Sequence, residues 1–229
     1  MIGTRISLGK KHKDEGEKPF WISFSDLMTA LMVLFLLVMS VALLSVTKTV
    51  TDAEREKLEM ENDIESVMNE IEQSTKDFPG ITIDKKRGVI DFGDKARFDT
   101  GSSSLTAQQG EYLRAFIPGL LQIANGIKGT KWLKRFVVEG FTDERGEYLM
   151  NLNLSLQRSQ RVITIVLAPP SPGAVTFTTE QIQQIKEKFL VGGFSSNSAK
   201  KSYEESRRIE IRIECYSLEE KKKMEAAKQ

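Results

Sequence analysis

Residues 27–46 read LMTALMVLFLLVMSVALLSV, twenty positions without a charge. A helix of about 20 apolar residues crosses a hydrocarbon core roughly 30 Å thick. Helical geometry is required there, because every backbone polar group must be satisfied within the segment. Phe20 and Trp21 precede the run, where aromatic rings favour the membrane interface, and Pro19 marks its start. The spacing therefore predicts a transmembrane helix over 20–46. A cleaved signal peptide is the rival reading, but its apolar core spans about 7–15 residues and ends in a small-residue cleavage site. This run is too long for that.

Basic residues set the orientation. The tail over 1–19 carries Arg5, Lys10, Lys11, Lys13 and Lys18. Beyond the run, Lys48 is soon outweighed by Asp52, Glu54, Glu56, Glu59, Glu61, Asp63 and Glu65. Lys and Arg near a span stay on the cytoplasmic side, so the N-terminus is expected inside and the rest outside. In a bacterium with two membranes, that means a single-pass inner-membrane protein with a periplasmic domain.

The 33 basic and 32 acidic side chains give a formal net charge of +1. That balance argues against nucleic-acid binding by bulk charge and against a disordered polyelectrolyte. The lone Cys215 excludes an intramolecular disulfide and a multi-cysteine zinc site. The lone His12 sits in the charged tail. No nucleotide-binding motif occurs, since Gly192-Gly193 lacks the companions of a phosphate loop. No catalytic residue, resident metal or cofactor is expected, and no enzyme activity.

Asp26 stands one residue before the apolar run. A carboxylate at mid-span costs about 2.5–3.5 kcal/mol on insertion scales, and less near an end. It is either the wet end of the helix, favourable to the helix dipole, or an ion carrier facing a partner helix. Ser25, Thr29 and Ala30 make its surroundings small and partly polar, which suits close helix packing.

The stretch Trp21-Ile-Ser-Phe-Ser-Asp26-Leu-Met-Thr29-Ala-Leu-Met-Val-Leu-Phe-Leu resembles the transmembrane helix of MotB-type stator subunits. In that family an Asp after a small residue, followed by a Met-Thr-Ala run, carries the ion of a rotary motor. The resemblance assigns that role to Asp26, with Ser25 and Thr29 supporting the ion path.

Residues 47–79 are highly charged, with apolar positions at Met60, Ile64, Val67, Met68 and Ile71. Spacings of 4, 3, 1 and 3 place these on one helical stripe. A parallel homodimer contact and packing on the chain's own following domain both suit such a stripe. In the stator family such segments can also plug the ion path. Phe78-Pro79-Gly80 ends the helix.

Residues 80–216 change rhythm. Ile81-Thr-Ile-Asp and Gly88-Val-Ile-Asp-Phe read as a hairpin. Thr106 is placed to cap a helix over about 107–124, which Pro118 would kink or split. Residues 135–140 read as a strand, 150–167 and 179–189 as helices, and 208–214 as the clearest strand. Strands alternating with helices predict an α/β domain, an α+β sandwich with helices covering the sheet. Residues 217–229 read as a charged, solvated tail.

Within this domain Asp143 ends a strand, and Asn151, Leu154 and Arg158 follow on the next helix. An Arg fork clamps a carboxylate and an Asp holds an ammonium, so the pair suits a zwitterionic ligand. The plainer alternative is an Asp143–Arg158 salt bridge that orders the turn.

The run Gly140-Phe-Thr-Asp143, then Asn151, then Leu154-Ser-x-x-Arg158 resembles the OmpA-like peptidoglycan-binding domain. Ala96-Arg-Phe98-Asp-Thr-Gly-Ser-Ser-Ser-Leu105 and Ser206-Arg207-Arg208-Ile-Glu-Ile resemble further motifs of that family. Phe141 stands where the family has His, and Ser206 where it has Asn. The resemblance implies that Asp143, Asn151, Leu154 and Arg158 bind the diaminopimelate of the wall's peptide stem. Together the two halves resemble a stator's anchor subunit: a homodimer inside a pentameric MotA-like ring, driven by protons. The short linker and membrane helix look most like the ZorB family of Zorya anti-phage systems. There the ring is of the ZorA type and reaches cytoplasmic effectors indirectly. A flagellar stator and a passive membrane-to-wall tether are the alternatives.

Overall fold

In a computed structural model the described residues are 17–170 and 172–227. The basic cluster Arg5, Lys10, Lys11 and Lys13, with His12, lies outside them. The chain divides in sequence into two compact units, between Glu56 and Lys57.

Helix α1 (Glu17–Thr75) supplies all of the described first unit. It is long and apolar enough to cross a membrane. Its large apolar side chains from Trp21 to Val46 are exposed, a surface that demands lipid or partner helices. Three hydroxyls in and beside the apolar run are satisfied internally. Thr29, Ser40 and Thr47 each donate to the carbonyl four residues back, at 2.8, 2.7 and 2.8 Å. A serine or threonine so bonded adds no unsatisfied donor to a lipid-facing helix.

The last turns of α1 belong to the second unit. Val67, Met68 and Ile71 are buried in its hydrophobic core, and Ile64 packs against it. Asp63 accepts from Lys131 at 3.0 Å and from the Trp132 indole at 2.9 Å. Lys85 donates to Asn69 at 2.8 Å and pairs with Glu72. From Ile64 to Ile71 the apolar stripe is therefore covered by the chain's own domain, and the compact unit begins near Lys57 instead of residue 80. Phe78, after the helix end, sets its ring edge-on to Phe116 at 5.2 Å.

The sheet has five strands: β1 (Thr82–Asp84), β2 (Val89–Asp91), β3 (Leu133–Gly140), β4 (Phe189–Gly193) and β5 (Ile209–Cys215), ordered β1-β2-β5-β3-β4. The first three neighbouring pairs in that order are antiparallel, and β3–β4 is parallel. A parallel pair needs a long crossover. Here α4 (Tyr148–Leu167) and α5 (Thr179–Lys188) supply it. The expected hairpin forms, with Asp84 accepting from the N–H groups of Lys86 and Arg87 in its turn. Phe136 and Val138 of β3 and Ile209, Ile211 and Ile213 of β5 join the core. Alternation places charges on the other face, where Arg212 clasps Glu139 at 2.6 and 2.9 Å and Arg135 meets Glu214.

Helix α2 (Ala107–Asn125) begins at the expected cap, Thr106, which exchanges hydrogen bonds with Gln109. It is not split at Pro118. The neighbours Phe116, Ile117, Leu120 and Leu121 are all core residues, and their burial offsets the lost backbone bond. Among the described residues, α3 (Ile127–Trp132), β4, the short α6 (Tyr203–Ser206) and a single 3-10 turn over Gly93–Ala96 escaped the sequence reading. The charged tail buries none of its described residues but forms a helix, α7 (Leu218–Ala226), started by a Ser217–Glu220 capping box and tied by Lys134 to Glu220 at 2.6 Å.

Candidate functional site

Between β3 and α4, the loop over 141–147 carries Asp143. The close approach of α4 to the sheet is made by two glycines paired across β3 and β4, Gly140 and Gly193. A Cβ on Gly140 would lie 1.9 Å from the Ser155 carbonyl oxygen, and one on Gly193 2.7 Å from the Ser155 hydroxyl. Strand glycines serve such backbone approaches. The consequence is that Arg158, on α4, reaches beneath the loop.

Asp143 is buried, and both its oxygens are occupied. Oδ1 accepts from the Arg145 backbone N–H at 3.1 Å and from Arg145 Nε at 3.2 Å. Oδ2 accepts from Arg145 Nη2 at 2.7 Å and Arg207 Nη1 at 3.1 Å. The Arg145 side-chain bond, with further help from Arg207, outweighs burial and holds the carboxyl at about 2.

Arg158 is fully buried and does not pair with Asp143. It donates to three carbonyls instead: Ser102 at 2.9 Å, Phe141 at 2.7 Å and Asp99 at 3.1 Å. The Asp143–Arg158 salt bridge is thus replaced by a guanidinium that ties the 99–102 segment and the end of β3 to α4. Burial, then repulsion from Arg207, lowers its pKa to about 10, so it stays charged at neutral pH. Its plane lies 4.9 Å from the Phe98 ring.

The four expected residues nevertheless come together. Asp143, Asn151, Leu154 and Arg158 all line one cavity of about 290 Å³. Asn151 donates to the carbonyls of Asp143 and Arg145, at 3.3 and 2.9 Å, and so fixes the loop. Phe141 stacks on Phe194 at 5.5 Å, with Arg208 over its ring at 4.2 Å. This face replaces an imidazole with a packed aromatic.

Sequence reasoning missed Arg145, Arg207 and Thr142 as lining residues. Arg207 lay in a quoted motif, and that was its available signal. Arg145 belongs to no motif. The Thr142 hydroxyl is buried with no partner among the described residues, a donor and acceptor at the cavity wall. With one fully engaged carboxylate among three guanidiniums, the cleft carries an excess of positive charge, which suits a ligand carboxylate.

In the first unit, Asp26 lies on one face with Ser23, Thr29, Ala30, Val33 and Leu37. Ser25 and Thr29 are joined, because the Thr29 hydroxyl donates to the Ser25 carbonyl at 2.8 Å. Ser23, one turn before Asp26, was not singled out from sequence.

A family model described as the membrane MotB of the proton-channel complex MotA/MotB matches residues 7–53. The Zorya protein ZorB of Escherichia coli O139:H28 (strain E24377A / ETEC) is 42% identical over 223 residues, which is 97% of this chain and 91% of that protein. The chain belongs to the ZorB family. Among solved structures, this ZorB-family chain is similar to a putative MotB-like protein from Desulfovibrio vulgaris, at 18% identity and a TM-score of 0.42, covering 69% of this chain and 96% of that one. The cell wall anchor of the T6SS from Pseudomonas aeruginosa aligns at 15% identity with a TM-score of 0.41, over 65% and 97%.

Proposed function

We propose that this ZorB-family chain is the peptidoglycan-anchoring stator subunit of a proton-driven rotary motor in the inner membrane, acting in anti-phage defence. One observation carries the reading: a single chain joins a lone carboxylate, Asp26, on a membrane-length apolar helix to a domain whose Asp143–Arg158 cleft gathers opposite charges. The 42% identity to a Zorya ZorB supports it, as does the MotB family model over the membrane helix.

In this reading the N-terminus is cytoplasmic and the second unit periplasmic. Two copies stand inside a pentameric MotA-like ring of the ZorA type, which passes the signal to cytoplasmic effectors. Asp26 takes up and releases a proton, with Ser25 and Thr29 beside it. Neutral Asp26 packs more easily against the ring and ionised Asp26 less so, and alternation between the copies steps the ring. The gradient supplies about 2.3 kcal/mol per charge per 100 mV. The cleft of Asp143, Asn151, Leu154 and Arg158 grips the diaminopimelate stem, so the ring turns and the anchor does not. Because Arg158 is committed to backbone carbonyls, Arg145 and Arg207 supply most of the exchangeable hydrogen bonds to the ligand.

The test is phage protection by the intact operon, wild type against Asp26→Asn, at matched membrane levels. Collapse of protection with normal assembly is the expected result. Full protection by the variant would leave a passive tether as the function. If the wild type gives no protection but supports motility, the motor is flagellar.

A further inference from the structure

A second, larger cavity adjoins the Asp143 cleft. Its volume is about 590 Å³, and it shares Thr100, Arg145 and Arg207 with the cleft, so the two lie side by side against the same arginines. We propose that this cavity is a second wall-binding subsite, one that takes a carboxylate of the same peptide stem whose diaminopimelate occupies the cleft. The inference rests on the wall-binding reading and adds a subsite and a ligand group to it.

The two shared arginines are fixed along one edge and open along the other. Arg145 spends Nε and Nη2 on Asp143, and Nη2 also on Thr100. Its Nη1 makes no hydrogen bond among the described residues. Arg207 spends Nε on the Phe98 carbonyl and Nη1 on Asp143, and its Nη2 likewise makes none. The Arg207 side chain is only 12% exposed, yet that nitrogen is not sealed off from solvent and is open to an incoming acceptor. Tyr203, itself exposed, lies under the Arg145 guanidinium at 4.6 Å and holds its plane. These are two pre-oriented planar donors, the geometry that suits a carboxylate.

The charge of the lining agrees. Four basic residues, Arg145, Arg207, Lys200 and Lys201, face two acids, Glu144 and Glu204. Lys200 is tied to Asp91, which leaves Lys201 as the adaptable cation of the rim. A stem peptide fits this layout. The residue before diaminopimelate is γ-linked D-glutamate, and its α-carboxylate lies a few bonds from the group held in the cleft.

The experiment uses the full chain in detergent and calorimetric titration with three probes. These are free meso-diaminopimelate, the tripeptide L-Ala-γ-D-Glu-meso-diaminopimelate, and the same tripeptide with the glutamate α-carboxyl amidated. Losing a charge-assisted contact corresponds to roughly tenfold in affinity. The acid tripeptide is therefore expected to bind about tenfold tighter than the amide. Lys201→Ala should shrink that preference while leaving free diaminopimelate binding unchanged, because Lys201 lines only the larger cavity. Its side chain is exposed, so the fold is retained. Equal affinity of the two tripeptides, with diaminopimelate still bound, would overturn the second subsite alone. Failure of all three probes to bind would overturn the cleft reading and the subsite with it.

Discussion

Arg145 closes on Asp143 from two residues away, with Nη2 2.7 Å from Oδ2 and its own backbone N–H 3.1 Å from Oδ1. The pairing is a loop clamp, and it titrates. Bound this way, the Asp143 carboxyl falls from its ordinary 3.8 to about 2. A carboxylate with a depressed folded-state pKa stabilises the fold above its unfolded pKa of about 3.9, and that contribution is lost as pH falls toward 2. The gain is at most about 2–3 kcal/mol, lessened by solvent screening at the half-exposed Arg145. Urea midpoints of the isolated second unit should therefore drop between pH 4 and pH 2. Asp143→Asn should flatten that drop; an unchanged profile in the variant would remove Asp143 as its source.

The Arg158 guanidinium holds three carbonyls that lie 17 to 59 positions away in sequence. A lysine ammonium cannot reproduce that fork. Each buried carbonyl left without a donor costs about 1–3 kcal/mol. Arg158→Lys is thus expected to lower the stability of the second unit by several kcal/mol, read by thermal melts, before any ligand is added. Loss of wall binding in an Arg158 variant then reports folding as much as recognition. Arg207→Gln is the cleaner probe, since it leaves the three carbonyl bonds in place.

The end of α1 is a core element of the second unit. Ile71 is fully buried with Val67 and Met68. Ile71→Ala should cost about 2–5 kcal/mol. A soluble fragment starting at residue 57 should melt well above one starting at residue 80, which lacks these side chains. If the two fragments melt together, the stripe serves another partner.

Much of this was legible in the sequence. The apolar run, the Thr106 cap and the alternation of Ile209, Ile211 and Ile213 each follow a local period or a local hydrogen bond, so short windows reveal them. Strand β4 did not show, because Leu190-Val191-Gly192-Gly193 ends in what reads as a turn, and its pairing partner Val138 lies more than fifty positions away. Asp143 and Arg158 were found as residues but mispaired. Opposite charges fifteen positions apart suggest an ion pair, yet the partners of Asp143 are a loop neighbour and a residue 64 positions on. Arg145 carried no motif, and its role follows from the turn geometry alone.

The site depends finally on Gly140. A Cβ there would sit 1.9 Å from the Ser155 carbonyl oxygen and 2.9 Å from its carbon, a backbone clash that no rotamer relieves. Gly140→Ala must push α4 off the sheet, and α4 carries Asn151, Leu154 and Arg158. The expected result is loss of well over 2 kcal/mol of stability in the second unit, as for an overpacked core. Membrane insertion through α1 should persist, so the full chain should reach the membrane yet fail to sediment with cell-wall sacculi. Gly101→Ala is the control. Gly101 also lines the cleft and has a positive φ of 68°, but a Cβ there meets nothing within 4 Å. Its cost should stay near the roughly 1–2 kcal/mol of a left-handed residue. A Gly140→Ala chain that melts like wild type would mean that α4 and β3 do not approach as closely as these distances require.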